Sequence, residues 1–117
     1  MVASPSNPTG TLVEPGEIAA LAALAREKGA TLLVDEIYQG LTYGGPHHPT
    51  ALGLGEDLFV VNSFSKYFNM TGWRLGWMVV PDVLVPVVER LAQNLFICAS
   101  TISQHAALAC FEAESIA

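Results

Sequence analysis

The chain has 117 residues, in which 11 Asp and Glu outnumber 5 Lys and Arg for a formal charge of −6; 51% of the residues are hydrophobic and 14% are charged. So apolar a composition, with a charged share well below the roughly 25% of ordinary soluble domains, excludes a disordered tail. Five dispersed cations on an acidic chain cannot build the basic surface that a nucleic acid requires.

In chain order, Val2 and Ala3 read as the tail of a strand. Pro15 precedes Ile18, Leu21, Leu24 and Ala25 at helical spacing, and Gly29 follows a basic turn, which predicts a helix over 15–28. The apolar run 31–34, ending in Asp35, predicts a strand covered on both faces, as in parallel sheets. Residues 41–57 hold four glycines and two prolines and read as a loop with one helical turn. A second buried strand is expected at 58–61, then a polar segment over 63–72, then a third strand over 73–80 with Arg74 at its start. Asp82 can cap a helix running to about 94, with Pro86 in its first turns, and a last helix is expected over 101–113. Trp73, Trp77 and Met78 are expected in the core.

This order predicts an α/β fold: part of a three-layer α/β sandwich whose mostly parallel sheet has about three strands, the last antiparallel, with flanking helices. A chain this short of surface charge is expected to be a piece of a larger protein and to hide apolar surface against other copies. No apolar run reaches the roughly 20 residues of a membrane helix, and residues 1–5 show no secretory signal. Cys98 and Cys110 lack metal-ligand spacing and read as buried, reduced cysteines of a cytoplasmic protein.

The chain has two lysines. Lys28 sits in a helical last turn, where a cation suits the dipole and faces water. Lys66 follows a buried strand in Ser63-Phe64-Ser65-Lys66, and in open α/β sheets ligands gather beyond the carboxyl ends of strands. A desolvated amine there becomes a nucleophile toward carbonyls, although on spacing alone a solvated loop lysine fits better. Asp35 ends the preceding strand and should emerge at the same sheet edge, unless it merely forms a turn. Tyr38 brings a phenol three residues later. Arg74 would be costly without a partner, which a phosphate would supply bidentately, and Ser63 offers a hydroxyl toward the same anion.

An amine, a carboxylate, a phenol, an arginine and serines at one sheet edge match a ligand with an aldehyde, a ring nitrogen, a phenolate and a phosphate. Pyridoxal 5'-phosphate is such a ligand, held through a lysine Schiff base with an acidic partner for its ring nitrogen. The chain resembles the fold-type I pyridoxal-phosphate aminotransferases of classes I and II, through Ser6-Asn7-Pro8-Thr9-Gly10, Asp35-Glu36-Ile37-Tyr38, Ser63-Phe64-Ser65-Lys66 and Gly72-Trp73-Arg74-Leu75-Gly76 in that order. The resemblance implies that Lys66 is the Schiff-base lysine and proton shuttle, and that Asp35 keeps the ring nitrogen protonated. By the same resemblance Tyr38 and Asn7 hydrogen-bond the ring oxygen, and Arg74 and Ser63 anchor the phosphate with Ser65 a weaker candidate.

The reaction so implied is amino-group transfer between an amino acid and a 2-oxo acid, in a homo-oligomer whose subunits complete one another's sites. Residues 1–117 are expected to be a truncated piece of the cofactor-binding large domain, with the small domain and its substrate-gripping arginine absent. The isolated chain is then expected to lack appreciable turnover. A non-catalytic aminotransferase-like binding or assembly module, and other fold-type I chemistries such as carbon–sulfur lyases and decarboxylases, share these residues.

Overall fold

The computed structural model of the chain describes residues 1–45 and 47–115. Among them, β1 (Val2–Ala3), β2 (Leu33–Asp35), β3 (Phe59–Ser63) and β4 (Gly76–Val79) form one sheet in chain order. β1 pairs with β2 and β2 with β3 in parallel, while β4 runs antiparallel to β3 with Ser63 opposite Gly76. The α/β class, the mostly parallel sheet and the antiparallel last strand are as the sequence predicts. Residues 2–3 are a paired strand in their own right, so the sheet has four strands where about three were expected.

Helix α1 (Pro15–Glu27) starts with proline in its first turn, and the Glu14 N–H donates to Glu17 Oε2 at 3.1 Å. That bond satisfies a backbone donor that the helix itself leaves free. Ile18 and Ala22, one turn apart, bury against Leu32, Val34, Leu58 and Val60, so α1 covers one face of the sheet. Leu21 and Leu24 fall outside that stripe and stay 40% and 49% exposed. At the far end of α1, Arg26 grips Asp57 with two nitrogens and donates to the Leu54 carbonyl at 3.1 Å, which ties the helix to the loop before β3. The guanidinium holds the Asp57 carboxyl below its ordinary value of 3.8 by hydrogen bonding, and the carboxylate raises the Arg26 pKa in return.

The third predicted strand is shorter than 73–80. Thr71–Trp73 form a 3-10 turn, Arg74 adopts a left-handed backbone at φ 54°, and β4 begins at Gly76. Arg74 therefore precedes the strand rather than opening it. Trp73, Trp77 and Met78 are 44%, 37% and 44% exposed instead of core, because β4 is the edge of this sheet and all of its residues are exposed. The helix expected at 82–94 begins as a 3-10 turn over Asp82–Leu84, and α2 (Val85–Leu95) is capped by Leu84, not Asp82. The final helix α3 (Thr101–Leu108) is shorter than predicted and gives way to 3-10 turns. Cys110 is buried as expected, whereas Cys98 is exposed on the connection between α2 and α3; both thiols are free.

A second cluster joins Phe64 and Met70 to Ala107 and Cys110, so the end of α3 packs on the loop that leaves β3. The Ser103 hydroxyl donates to the Trp73 carbonyl at 2.8 Å and fastens the other end of that loop.

Candidate active site

Parallel pairing puts the carboxyl ends of β1, β2 and β3 at one edge of the sheet, where α/β proteins bind ligands. β1 leads to Asn7, β2 ends at Asp35 with Tyr38 in the next turn, and β3 ends at Ser63 just before Lys66. Because β4 is antiparallel, the residues before Gly76, Arg74 included, return to that same edge. Side chains alternate across a strand. With Val34 buried under α1, Asp35 and its neighbour Ala3 face the opposite side of the sheet.

On that side opens a cleft of about 450 Å³, lined among others by Ala3, Asn7, Asp35, Tyr38 and Lys66. Small-molecule sites are typically about 300–1,000 Å³. Asp35 Oδ1 accepts from the Ile37 N–H at 3.1 Å, and its carbonyl accepts from the Ser4 N–H at 3.1 Å. The carboxylate is thus held at a fixed point, with Oδ2 unpaired among the described residues. Lys66 Nζ lies 5.5 Å from the centre of the Tyr38 ring, within reach of cation–π attraction. A second cavity of about 460 Å³ adjoins the cleft and shares Pro5, Asn7 and Tyr38 with it.

Ser63, Ser65 and Arg74 do not line this cleft among the described residues. The Ser63 hydroxyl donates to the Leu75 carbonyl at 3.1 Å and accepts from the Ser65 N–H at 3.0 Å. Ser65 is buried, and its carbonyl accepts from the Thr71 hydroxyl at 2.7 Å. Arg74 is exposed and turns back to donate to the Thr71 carbonyl at 3.0 Å. Ser63 ends β3, and Ser65 and Arg74 stand on the loop that follows it, cross-linked by short polar contacts. So the structure brings Asn7, Asp35, Tyr38 and Lys66 together and leaves the serines and the arginine beside them.

Sequence reasoning passed over Glu36. Glu36 is 4% exposed, and its carboxylate accepts from the Thr50 hydroxyl at 2.8 Å and the Ala51 N–H at 2.6 Å, which anchors the loop after β2. An acid immediately after Asp35 at a strand exit was the available signal. Ala3 and Pro5 were also missed, since the pairing of β1 with β2 brings them to the cleft, and so was Ile37, which sits between Asp35 and Tyr38.

The fold and the cleft define a class: an α/β protein whose sheet presents a lysine, an aspartate, a tyrosine and an asparagine in one cleft at its carboxyl edge. Residues 1–116 match the family model for aminotransferase class I and II. The chain is 48% identical over 118 aligned positions to the valine–pyruvate aminotransferase of Mycobacterium tuberculosis, covering 100% of this chain and 30% of that protein. It is 40% identical to the (5-formylfuran-3-yl)methyl phosphate transaminase of Methanocaldococcus jannaschii, covering 98% and 30% respectively. The crystal structure of an aminotransferase from Mycobacterium tuberculosis superposes with a TM-score of 0.94 at 47% identity, over 98% of this chain and 32% of that one. The chain belongs to the class I and II aminotransferases, and it spans about 30% of the length of the curated relatives it matches. This family is pyridoxal-phosphate-dependent. The donors in the cleft, an amine, a carboxylate, a phenol and an amide, suit an aldehyde-bearing, hydroxylated pyridine.

Proposed function

We propose that residues 1–117 are a cofactor-binding piece of an aminotransferase large domain that uses pyridoxal 5'-phosphate to transfer an amino group between an amino acid and a 2-oxo acid. The observation that carries this reading is the single cleft shared by Lys66, Asp35, Tyr38 and Asn7. When bound, the cofactor supplies an aldehyde for amine capture and a protonated ring that withdraws electrons. Lys66 Nζ would hold the cofactor through its aldehyde carbon and, when free, would be the base for the substrate Cα proton. The Asp35 carboxylate would keep the ring nitrogen protonated. At about 4 Å and an effective dielectric near 20, such a pair attracts by roughly 4 kcal/mol before desolvation. Tyr38 and Asn7 bind the ring oxygen, and Arg74 and Ser63, with Ser65 a lesser contributor, bind the phosphate.

The adjoining cavity, which shares Asn7 and Tyr38 with the cleft, is the space proposed for the substrate. Six of these seven residues are assigned to the cofactor alone and Lys66 to both cofactor and substrate; part of the proposal is that the chain alone binds the cofactor without appreciable turnover. The reading includes a homo-oligomer in the cytoplasm. No helix among the described residues is long and apolar enough to cross a membrane. The test is visible absorption on adding pyridoxal 5'-phosphate, lost in Lys66→Ala and kept in Lys28→Ala. Equal behaviour of the two variants refutes the assignment of Lys66.

A further inference from the structure

Tyr67 follows Lys66, and its ring lies on the backbone of Gly40, two residues after Tyr38. Gly40 has φ +86°, and a Cβ there would stand 2.7 Å from Tyr67 Cδ2 and 2.9 Å from Cε2, where ordinary contact begins at 3.4 Å. Phe68 packs edge-on against the ring with centroids 5.0 Å apart, and Gly40, Tyr67 and Phe68 together border a cavity of about 350 Å³. The turn under it is also held, by Gln39 N–H to the Glu36 carbonyl at 2.8 Å and Leu41 N–H to the Tyr38 carbonyl at 3.1 Å. This contact therefore clamps the turn after β2 to the turn after β3. Neither Gly40 nor Tyr67 lines the lysine cleft among the described residues.

We infer that Gly40 and Tyr67 are positioning residues: the Tyr67 ring fills the space a side chain at position 40 would take, and so sets Lys66 against the Tyr38 ring. Its functional meaning rests on the role proposed above for Lys66. A Cβ at position 40 displaces the ring by roughly 0.7 Å, and misplacements of that order cost up to ~100-fold in positioned chemistry. On this inference the shift, carried through the adjoining backbone, takes Lys66 off the Tyr38 ring.

The experiment is competitive trace acylation of the full chain without cofactor, read as the Lys66:Lys28 labelling ratio by mass spectrometry. Lys28, whose side chain is 65% exposed, is the internal reference. Gly40→Ala is expected to raise the ratio about threefold or more, Tyr67→Ser to raise it likewise, and the double variant to go no higher than Tyr67→Ser alone. Alanine at a positive φ is itself strained, and that strain remains in the double variant; loss of the Gly40→Ala effect in the Tyr67→Ser background therefore reads the steric contact. An unchanged ratio in Gly40→Ala, or a Gly40→Ala effect that adds in full to that of Tyr67→Ser, overturns the inference. Should Gly40→Ala fail to fold by circular dichroism, Tyr67→Ser alone decides: a raised ratio supports the clamp and an unchanged one overturns it. A parallel pyridoxal 5'-phosphate titration separates the two readings, since absence of Lys66-dependent absorption in the native chain defeats the aminotransferase proposal while the labelling ratio still judges the clamp.

Discussion

A Cβ at position 76 would lie 2.7 Å from the Asn62 carbonyl oxygen, a backbone atom that cannot swing aside. Gly76 thus lets β4 close on β3, which sets where the loop carrying Lys66 and Arg74 returns to the sheet. Gly76→Ala is expected to destabilise the chain by about 1–3 kcal/mol, the usual cost of overpacking. Gly72 belongs to the same motif, yet a Cβ there meets nothing within 4 Å. Gly72→Ala should stay within about 0.5 kcal/mol of the native chain. Urea midpoints for the two variants check the contrast; equal losses would mean that the approach to Asn62 has no energetic weight. The sequence marked both glycines as one motif, and only the distance to Asn62 tells them apart.

At the scale of elements, the turn after β2 is held from beneath by Glu36, whose buried carboxylate takes donors from Thr50 and Ala51. Removing that acceptor leaves a buried N–H unpaired, and hydrogen bonds to charged groups contribute about 1.5–3 kcal/mol. Glu36→Ala is expected to cost about 2–3 kcal/mol and to speed amide exchange at Ala51 while β3 keeps its protection. Unchanged exchange at Ala51 would show that the loop does not depend on Glu36. Helix α1 was legible because its proline, the helical spacing of its apolar residues, its basic last turn and Gly29 are local signals. The end of α3 was not: Leu108 ends the helix with no glycine or proline to announce it. The burial of Glu36 was hidden for a related reason, since its partners lie 14 and 15 residues further on.

For the whole molecule, the Arg26–Asp57 pair links α1 to the approach of β3 and gives stability a pH dependence. The Asp57 carboxyl is lowered in the folded chain, so its contribution is present above its ordinary value of 3.8 and is lost as pH falls through the depressed one. Asp57→Asn is therefore expected to lower the melting temperature near neutral pH and to match the native chain in strong acid. The side chains remain 43% and 50% exposed, so added salt should shrink the difference. A gap that persists in acid would rule out the ion pair as its source. Val83, Val87, Leu91 and Leu95 recur every fourth residue along α2 and its lead-in turn, and they are 52–84% exposed. Apolar stripes of this kind drive association, and light scattering is expected to show oligomers; a clean monomer at high concentration counts against it.

The sequence by itself determined the α/β class, the approximate place of every helix and strand, and the residue types of the site, because helical and strand periods, prolines and glycines act locally. It could not determine which side chains share a cavity. The tertiary structure decided that Asn7, Asp35, Tyr38 and Lys66 line one cleft while Ser63, at the end of β3, and Ser65 and Arg74, on the loop after it, stay outside it. It also decided that the tryptophans face outward and that Cys98 is exposed. Those outcomes depend on strand register, sheet edges and close approaches between residues distant in the chain, and no local pattern encodes such long-range packing.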